Sequence, residues 1–143
     1  MVFSGEMRRC NHLTAELDAV YHSIAKSMGM SDSEMMILYT VYGNGGSYPL
    51  KDIALFSGVS KQTINSGLRK LERSGEVSLS SEGTKNKRVS LTEKGEARCK
   101  KTVERLICAE NEVFSSWSSE DVCRFLELSE RFLTDMKTKA KEI

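Results

Sequence analysis

With 143 residues, of which 29% are charged and 7% aromatic, the chain has room for one ordinary domain with a real core and favours a helix-rich fold over an all-β one. The net charge of +1 is near balance, and no apolar run approaches the ~20 residues that span a bilayer, which excludes a membrane partner. The first residues, MVFSGEMRRCNH, lack the apolar core of a signal peptide, and the four cysteines form no CxxC pair, so free thiols in a cytoplasmic location are expected.

The first expected element is a helix over about 6–28. Leu13, Leu17, Val20, Tyr21, Ile24 and Met28 recur at three- and four-residue spacing, and Gly29 ends it. Ser31-Asp-Ser-Glu34 has the form of a capping box, opening a second helix with Met35, Leu38, Tyr39 and Tyr42 on its inner face. Gly43-Asn-Gly-Gly46 is a turn. After Pro49, the one proline, comes a short helix from Leu50 to Phe56 with Leu50, Ile53, Ala54 and Phe56 inward.

Ser57-Gly58 breaks that helix, and the next stretch, VSKQTINSGLRKLERSG from Val59 to Gly75, is the most informative of the chain. At 100° per residue Gln62, Asn65, Ser66, Arg69 and Arg73 fall on one side, and Ile64, Gly67, Leu68 and Leu71 on the other. Ser60 suits the N-cap and Gly75 the left-handed position beyond the C-terminus. Two helices joined by a tight glycine-containing turn form a helix-turn-helix. Glu76–Ser80 and Arg88–Leu91 then alternate apolar and polar residues around a polar segment holding Gly83 and Asn86, which predicts a β-hairpin, or wing.

Thr92 caps a long helix from about Glu93 to Phe114, with Val103, Leu106, Ile107, Ala109, Val113 and Phe114 apolar, and Trp117 sits in a break. Ser118-Ser-Glu-Asp121 opens a last helix to about Lys141, lined by Val122, Phe125, Leu126, Phe132, Leu133 and Met136. The fold class is thus mainly α with a small β-hairpin wing.

Charge follows the same organisation. Residues 60–94 carry Lys61, Arg69, Lys70, Arg73, Lys85, Lys87, Arg88 and Lys94 against Glu72, Glu76, Glu82 and Glu93, while the segments on either side are slightly negative. An amphipathic helix with amide, hydroxyl and guanidinium groups outward, inside the positive part of the chain, has the chemistry that reads base edges and phosphates in a major groove. Gln62, Asn65 and Ser66 are the candidate base readers, since glutamine and asparagine pair bidentately with adenine; Arg69 reaches guanine or phosphate. Ser60, Lys61 and Thr63 sit in the first turn, whose free N–H groups favour a phosphate, and Lys70 and Arg73 hold phosphates further along.

Three stretches, the short helix Leu50–Phe56, GVSKQTINSGLRKLERSGEV from Gly58 to Val77, and VSLTEKG from Val89 to Gly95, resemble the MarR family of winged helix-turn-helix regulators of bacteria and archaea, over nearly the whole chain. The resemblance implies a homodimer on double-stranded DNA, with residues 1–30 and 93–143 as dimerisation helices and 31–92 as the DNA-binding domain. The apolar surface of the first and last helices, more than a monomer of this size needs, agrees. Family wings often carry an acidic residue followed two positions later by arginine near the tip. Here Gly83 and Lys85 stand at those positions, and lysine meets phosphate as a point charge without the arginine fork; Lys87 or Arg88 shares the role.

The resemblance also implies a small-molecule effector pocket, for which Tyr21, Met28, Met35, Met36, Tyr39 and Tyr42 are candidates; methionines and aromatics at helical spacing equally fill a core. Cys10, after Arg8 and Arg9, offers a redox-sensing alternative, against an inert thiol near a chain end. Cys10, His12 and His22 do not fall on one helix face, so no metal or other cofactor is expected, and no Ser/His/Asp set, phosphate loop or paired acid motif suggests an enzyme. The reading from another class is a winged helix that binds proteins and leaves its DNA face unused.

Overall fold

The computed structural model describes residues 1–82 and 86–143, so the expected wing-tip positions Gly83 and Lys85 lie outside the described residues. The elements run α1 (Gly5–Ser27), α2 (Asp32–Gly43), β1 (Ser47–Pro49), α3 (Leu50–Ser57), α4 (Lys61–Arg73), β2 (Val77–Glu82), β3 (Asn86–Leu91), α5 (Glu93–Lys101), α6 (Val103–Ser116) and α7 (Ser119–Lys139), with a final 3-10 turn (Ala140–Glu142). The chain divides into two units, residues 1–105 and 106–143.

The first unit is a winged helix carrying α1 and α5. Its core centres on α2: Met35, Ile37, Leu38, Thr40 and Val41 are buried there, with Ile53 of α3, Ile64, Leu68 and Leu71 of α4, Val77, Val89 and Cys99 around them. The capping box forms as the sequence predicts, with Ser31 and Glu34 exchanging backbone and side-chain bonds. The inner face does not keep to one stripe. Tyr39 and Tyr42 are only half-buried, and Ile37, Thr40 and Val41 join the core, because α2 has neighbours on several sides: α1, α3, α4, α5 and the sheet.

The hairpin is β2–β3, and it gains a strand that the sequence does not advertise. β1 pairs antiparallel with β3, Ser47 opposite Ser90 and Pro49 opposite Arg88, giving the order β1-β3-β2. Phe56 departs from expectation: it is 60% exposed, since α3 sends only Ile53 fully into the core and Phe56 lies in the last turn before Gly58. The long helix predicted from Glu93 is two helices, α5 and α6. They part at Thr102, whose hydroxyl bonds the Arg98 carbonyl and whose φ of −129° and ψ of −89° leave the helical region. Just beyond, Tyr42 donates to Glu104 at 2.8 Å, and that carboxylate, together with partial burial, pushes the Tyr42 hydroxyl up to about 12.

The second unit is helical. Ser118 caps α7 by accepting from Asp121 N–H. Phe114, Trp117 and Phe125 form a ring cluster across the α6–α7 break, with centroids 5.5 to 6.0 Å apart in edge-on and tilted contacts. The apolar stripe of α7 is otherwise exposed: Phe125, Leu126, Phe132, Leu133 and Met136 all face solvent. In the first unit, likewise, α1 buries only Ala25 and leaves Leu13, Leu17 and Val20 exposed. Among the described residues no helix is long and apolar enough to cross a membrane.

Candidate nucleic-acid interface

Helix α4 divides as its sequence period requires. Ile64, Gly67, Leu68 and Leu71 are buried, while Lys61, Gln62, Thr63, Asn65, Ser66, Arg69, Lys70 and Arg73 are exposed. Ser60 caps the helix by accepting from Thr63 N–H at 3.3 Å, and its hydroxyl lies 2.9 Å from that of Thr63. These two hydroxyls therefore build the helix start. The backbone turn into α4 needs Gly58, at φ +64°, and the turn out of it needs Gly75, at φ +73°, a region that side-chain-bearing residues rarely adopt.

Two contacts set how far α4 stands from its support. Gly67 lets α2 approach so closely that a Cβ there would lie 2.7 Å from the Ser33 hydroxyl. Lys70 pairs at 3.0 Å with Glu34, a buried carboxylate that also accepts from Ser31 N–H. Lys70, predicted to hold a phosphate, is thus partly engaged within the chain. Burial pushes the Glu34 carboxyl up, but the bonds from Ser31 and the charge of Lys70 outweigh it and hold the group below its ordinary value. A carboxyl depressed in the folded state contributes stability above the unfolded value of 4.5 and loses it as pH falls through the folded one. Acid unfolding followed by circular dichroism should therefore steepen below pH 4.5, and Glu34→Gln should flatten that limb.

Gln62, Asn65, Ser66, Arg69 and Arg73 make no side-chain hydrogen bond or ion pair among the described residues. Lys61 and Asn65 also border a groove of about 600 Å³ shared with Lys51 and Asp52 of α3 and with Asn86, Lys87 and Arg88 of β3. The structure thus brings the start of α4 and the base of the wing to one place. Lys87 is exposed there. Arg88 is half-buried and donates from Nε and Nη2 to the Ser47 side chain and carbonyl at 3.3 Å, so it ties β3 to β1. Lys85 lies outside the described residues. Lys51 is not among the residues that the sequence singles out; its place two residues after Pro49, in the first turn of α3, is the signal that the sequence holds for it.

The six candidate effector residues belong to α1, α2 and the turn between them. Met35 is buried, and Tyr21, Met28, Met36, Tyr39 and Tyr42 are half-buried, with Thr40 donating to the Met36 sulfur at 3.8 Å. Cys10 is exposed on α1; of the other thiols Cys99 is buried, and burial pushes it up to about 12, while Cys108 and Cys123 are exposed. Among the described residues no group of three His, Cys, Asp or Glu could hold a metal ion.

Residues 28–85 match the family model described as MarR family. No curated protein matches the chain. Among solved structures, a MarR family regulator from Neisseria meningitidis is 19% identical, with 94% of this chain and 97% of that one covered at a TM-score of 0.76. MepR of S. aureus, solved as a DNA complex, is 17% identical over 93% of this chain and 99% of its own, at 0.72. PcaV of Streptomyces coelicolor, solved with its natural ligand, is 16% identical over 94% and 98%, at 0.65. At these identities the likeness is one of fold.

Proposed function

We propose, from the premise that the chain belongs to the MarR family of winged-helix proteins, that it is a sequence-specific regulator of transcription that binds double-stranded DNA as a homodimer. The observation that carries this reading is on the polar face of α4: Gln62, Asn65, Ser66, Arg69 and Arg73 stand exposed together with no side-chain partner among the described residues, while the opposite face is buried. Side chains held clear of intramolecular bonds are available to base edges and phosphates. MepR, a neighbour of the same fold, is solved as a DNA complex, which supports the reading.

In the dimer, α1, α6 and α7 of each chain cover one another's exposed apolar faces. Two recognition helices then meet successive major grooves, so the operator is a pseudo-palindrome with half-sites about 34 Å apart. Occupying a promoter in this way excludes polymerase, which makes repression the expected sign. A small molecule that favours a different spacing of the two winged domains releases the DNA by population shift, and the α1–α2 residues named above are the candidate contacts. PcaV offers a ligand-bound precedent on the same fold.

A salt titration on duplexes selected from random DNA tests the reading. Specific binding is expected at ~10⁻⁸ M or tighter at physiological salt, weakening steeply as salt rises. Gln62→Ala or Asn65→Ala should cost about 1–3 kcal/mol on the selected duplex and relax base preference, whereas Lys61→Ala should weaken all sequences alike. Unchanged affinity in both Arg69→Ala and Lys61→Ala would favour the protein-interaction reading instead.

A further inference from the structure

The exit of α4 is clamped more heavily than a turn needs. Thr92 Oγ1 donates to the Gly75 carbonyl at 2.6 Å, Thr92 N–H to the Glu76 carbonyl at 3.1 Å, and Lys94 Nζ to the Ser74 carbonyl at 2.6 Å. Beneath these lies a carboxylate. Glu76 is only 4% exposed; it accepts from the Ser74 hydroxyl on one oxygen and from Arg98 Nη1 at 2.5 Å on the other. The same guanidinium donates from Nη2 to the Gly29 carbonyl, just beyond the end of α1, at 3.3 Å. One side chain of α5 thus joins the foot of the recognition helix to the α1–α2 corner.

We propose that Arg98 is a positioning residue for DNA recognition: by bridging the buried Glu76 carboxylate and the Gly29 carbonyl, it fixes the angle at which α4 is presented. The proposal rests on the DNA-binding reading above. A buried ion pair is poor evidence for stability, because an apolar pair of similar volume often serves as well. Its contribution here is directional. The planar fork accepts one arrangement of its two acceptors, which belong to different elements. The lever is long: at 1.5 Å per residue α4 extends about 20 Å, so a tilt of roughly 5° at Ser74 moves Gln62 by about 1.5 Å. That exceeds the tolerance of a hydrogen bond to a base edge. Flexible lysine and arginine stems on phosphates absorb it.

The experiment compares a duplex selected from random DNA by the wild-type protein with a scrambled duplex of equal length. Arg98→Met is expected to lower the preference for the selected duplex about tenfold, with affinity for the scrambled duplex and the salt slope unchanged. Arg98→Lys, which keeps the charge but cannot span both acceptors, should leave most of the preference lost. A merely structural role would reduce both affinities together through the folded fraction. If Arg98→Met fails to fold, the double variant Glu76→Gln/Arg98→Met removes the stranded carboxylate and carries the same expectation. Wild-type preference in either folded variant, or an equal loss on both duplexes, overturns the proposal. A wild-type protein that prefers no duplex overturns the DNA-binding reading itself, and this is seen before any variant is made.

Discussion

Replacing Gly95 with alanine is expected to lower the stability of the first unit by about 3 kcal/mol or more, the upper range for forcing atoms into a filled space. Gly95 is buried in the first turn of α5, and a Cβ built there would stand 1.9 Å from the Glu76 carbonyl oxygen and 2.9 Å from its carbon. Both are backbone atoms, so no side-chain rotation relieves the contact. Either α5 or the Ser74–Glu76 turn must move, and the bonds from Thr92 and Lys94 across that junction move with it. For a chain of this size the melting temperature should fall by about 10 °C, read by calorimetry or thermal circular dichroism. A melting temperature within about 2 °C of the wild type would show that the junction is looser than described.

Gly67→Ala makes the contrast. There the new methyl meets Ser33 Oγ at 2.7 Å, Ser33 Cβ at 3.0 Å and Ile37 Cδ1 at 3.2 Å, all side-chain atoms. Ser33 can turn aside, so the cost is the smaller of the two, and the expected consequence is a displaced α4 more than a melted domain. VSLTEKG matters for the same physical reason: its glycine is the point where α5 touches the backbone leaving the recognition helix.

Helix α4 was legible because one side packs and the other does not, and period 3.6 records that difference in its residues. Ile64, Gly67, Leu68 and Leu71 are buried as the sequence orders them. Helix α2 was legible in its ends and not in its face, since a helix surrounded by other elements has no outer stripe to mark. β1 is three residues long, too short to alternate, and owes its existence to pairing with β3 about forty residues away. The α5–α6 break carries neither glycine nor proline. The ion pairs Glu34–Lys70 and Glu76–Arg98 join residues 36 and 22 positions apart, a separation that no local spacing rule reaches. Composition showed that positive charge gathers in residues 60–94; it could not show that Lys70 and Arg88 are already tied within the chain.

Leu133→Glu, in the middle of the exposed stripe of α7, is expected to convert the proposed dimer to monomers and to lower affinity for the selected duplex by about two orders of magnitude. Phe125, Leu126, Phe132, Leu133 and Met136 are each roughly half exposed in the single chain, as are Leu13, Leu17 and Val20 of α1. Burying a side chain of this kind fully is worth about 1.5–3 kcal/mol. Half of that, over eight residues in each of two chains, exceeds the roughly 8 kcal/mol of a micromolar association and leaves room for the cost of association itself. A carboxylate placed in such a surface loses its hydration without gaining a partner, which opposes closure. The drop in DNA affinity follows from valency, not from damage to α4: two half-sites held together bind 10²–10⁴-fold more tightly than one. Light scattering reports the mass and a titration on the selected duplex reports the affinity. A wild-type chain that scatters as a monomer, or a Leu133→Glu variant that remains dimeric with unchanged affinity, would sink the twofold arrangement while leaving the polar face of α4 where it is.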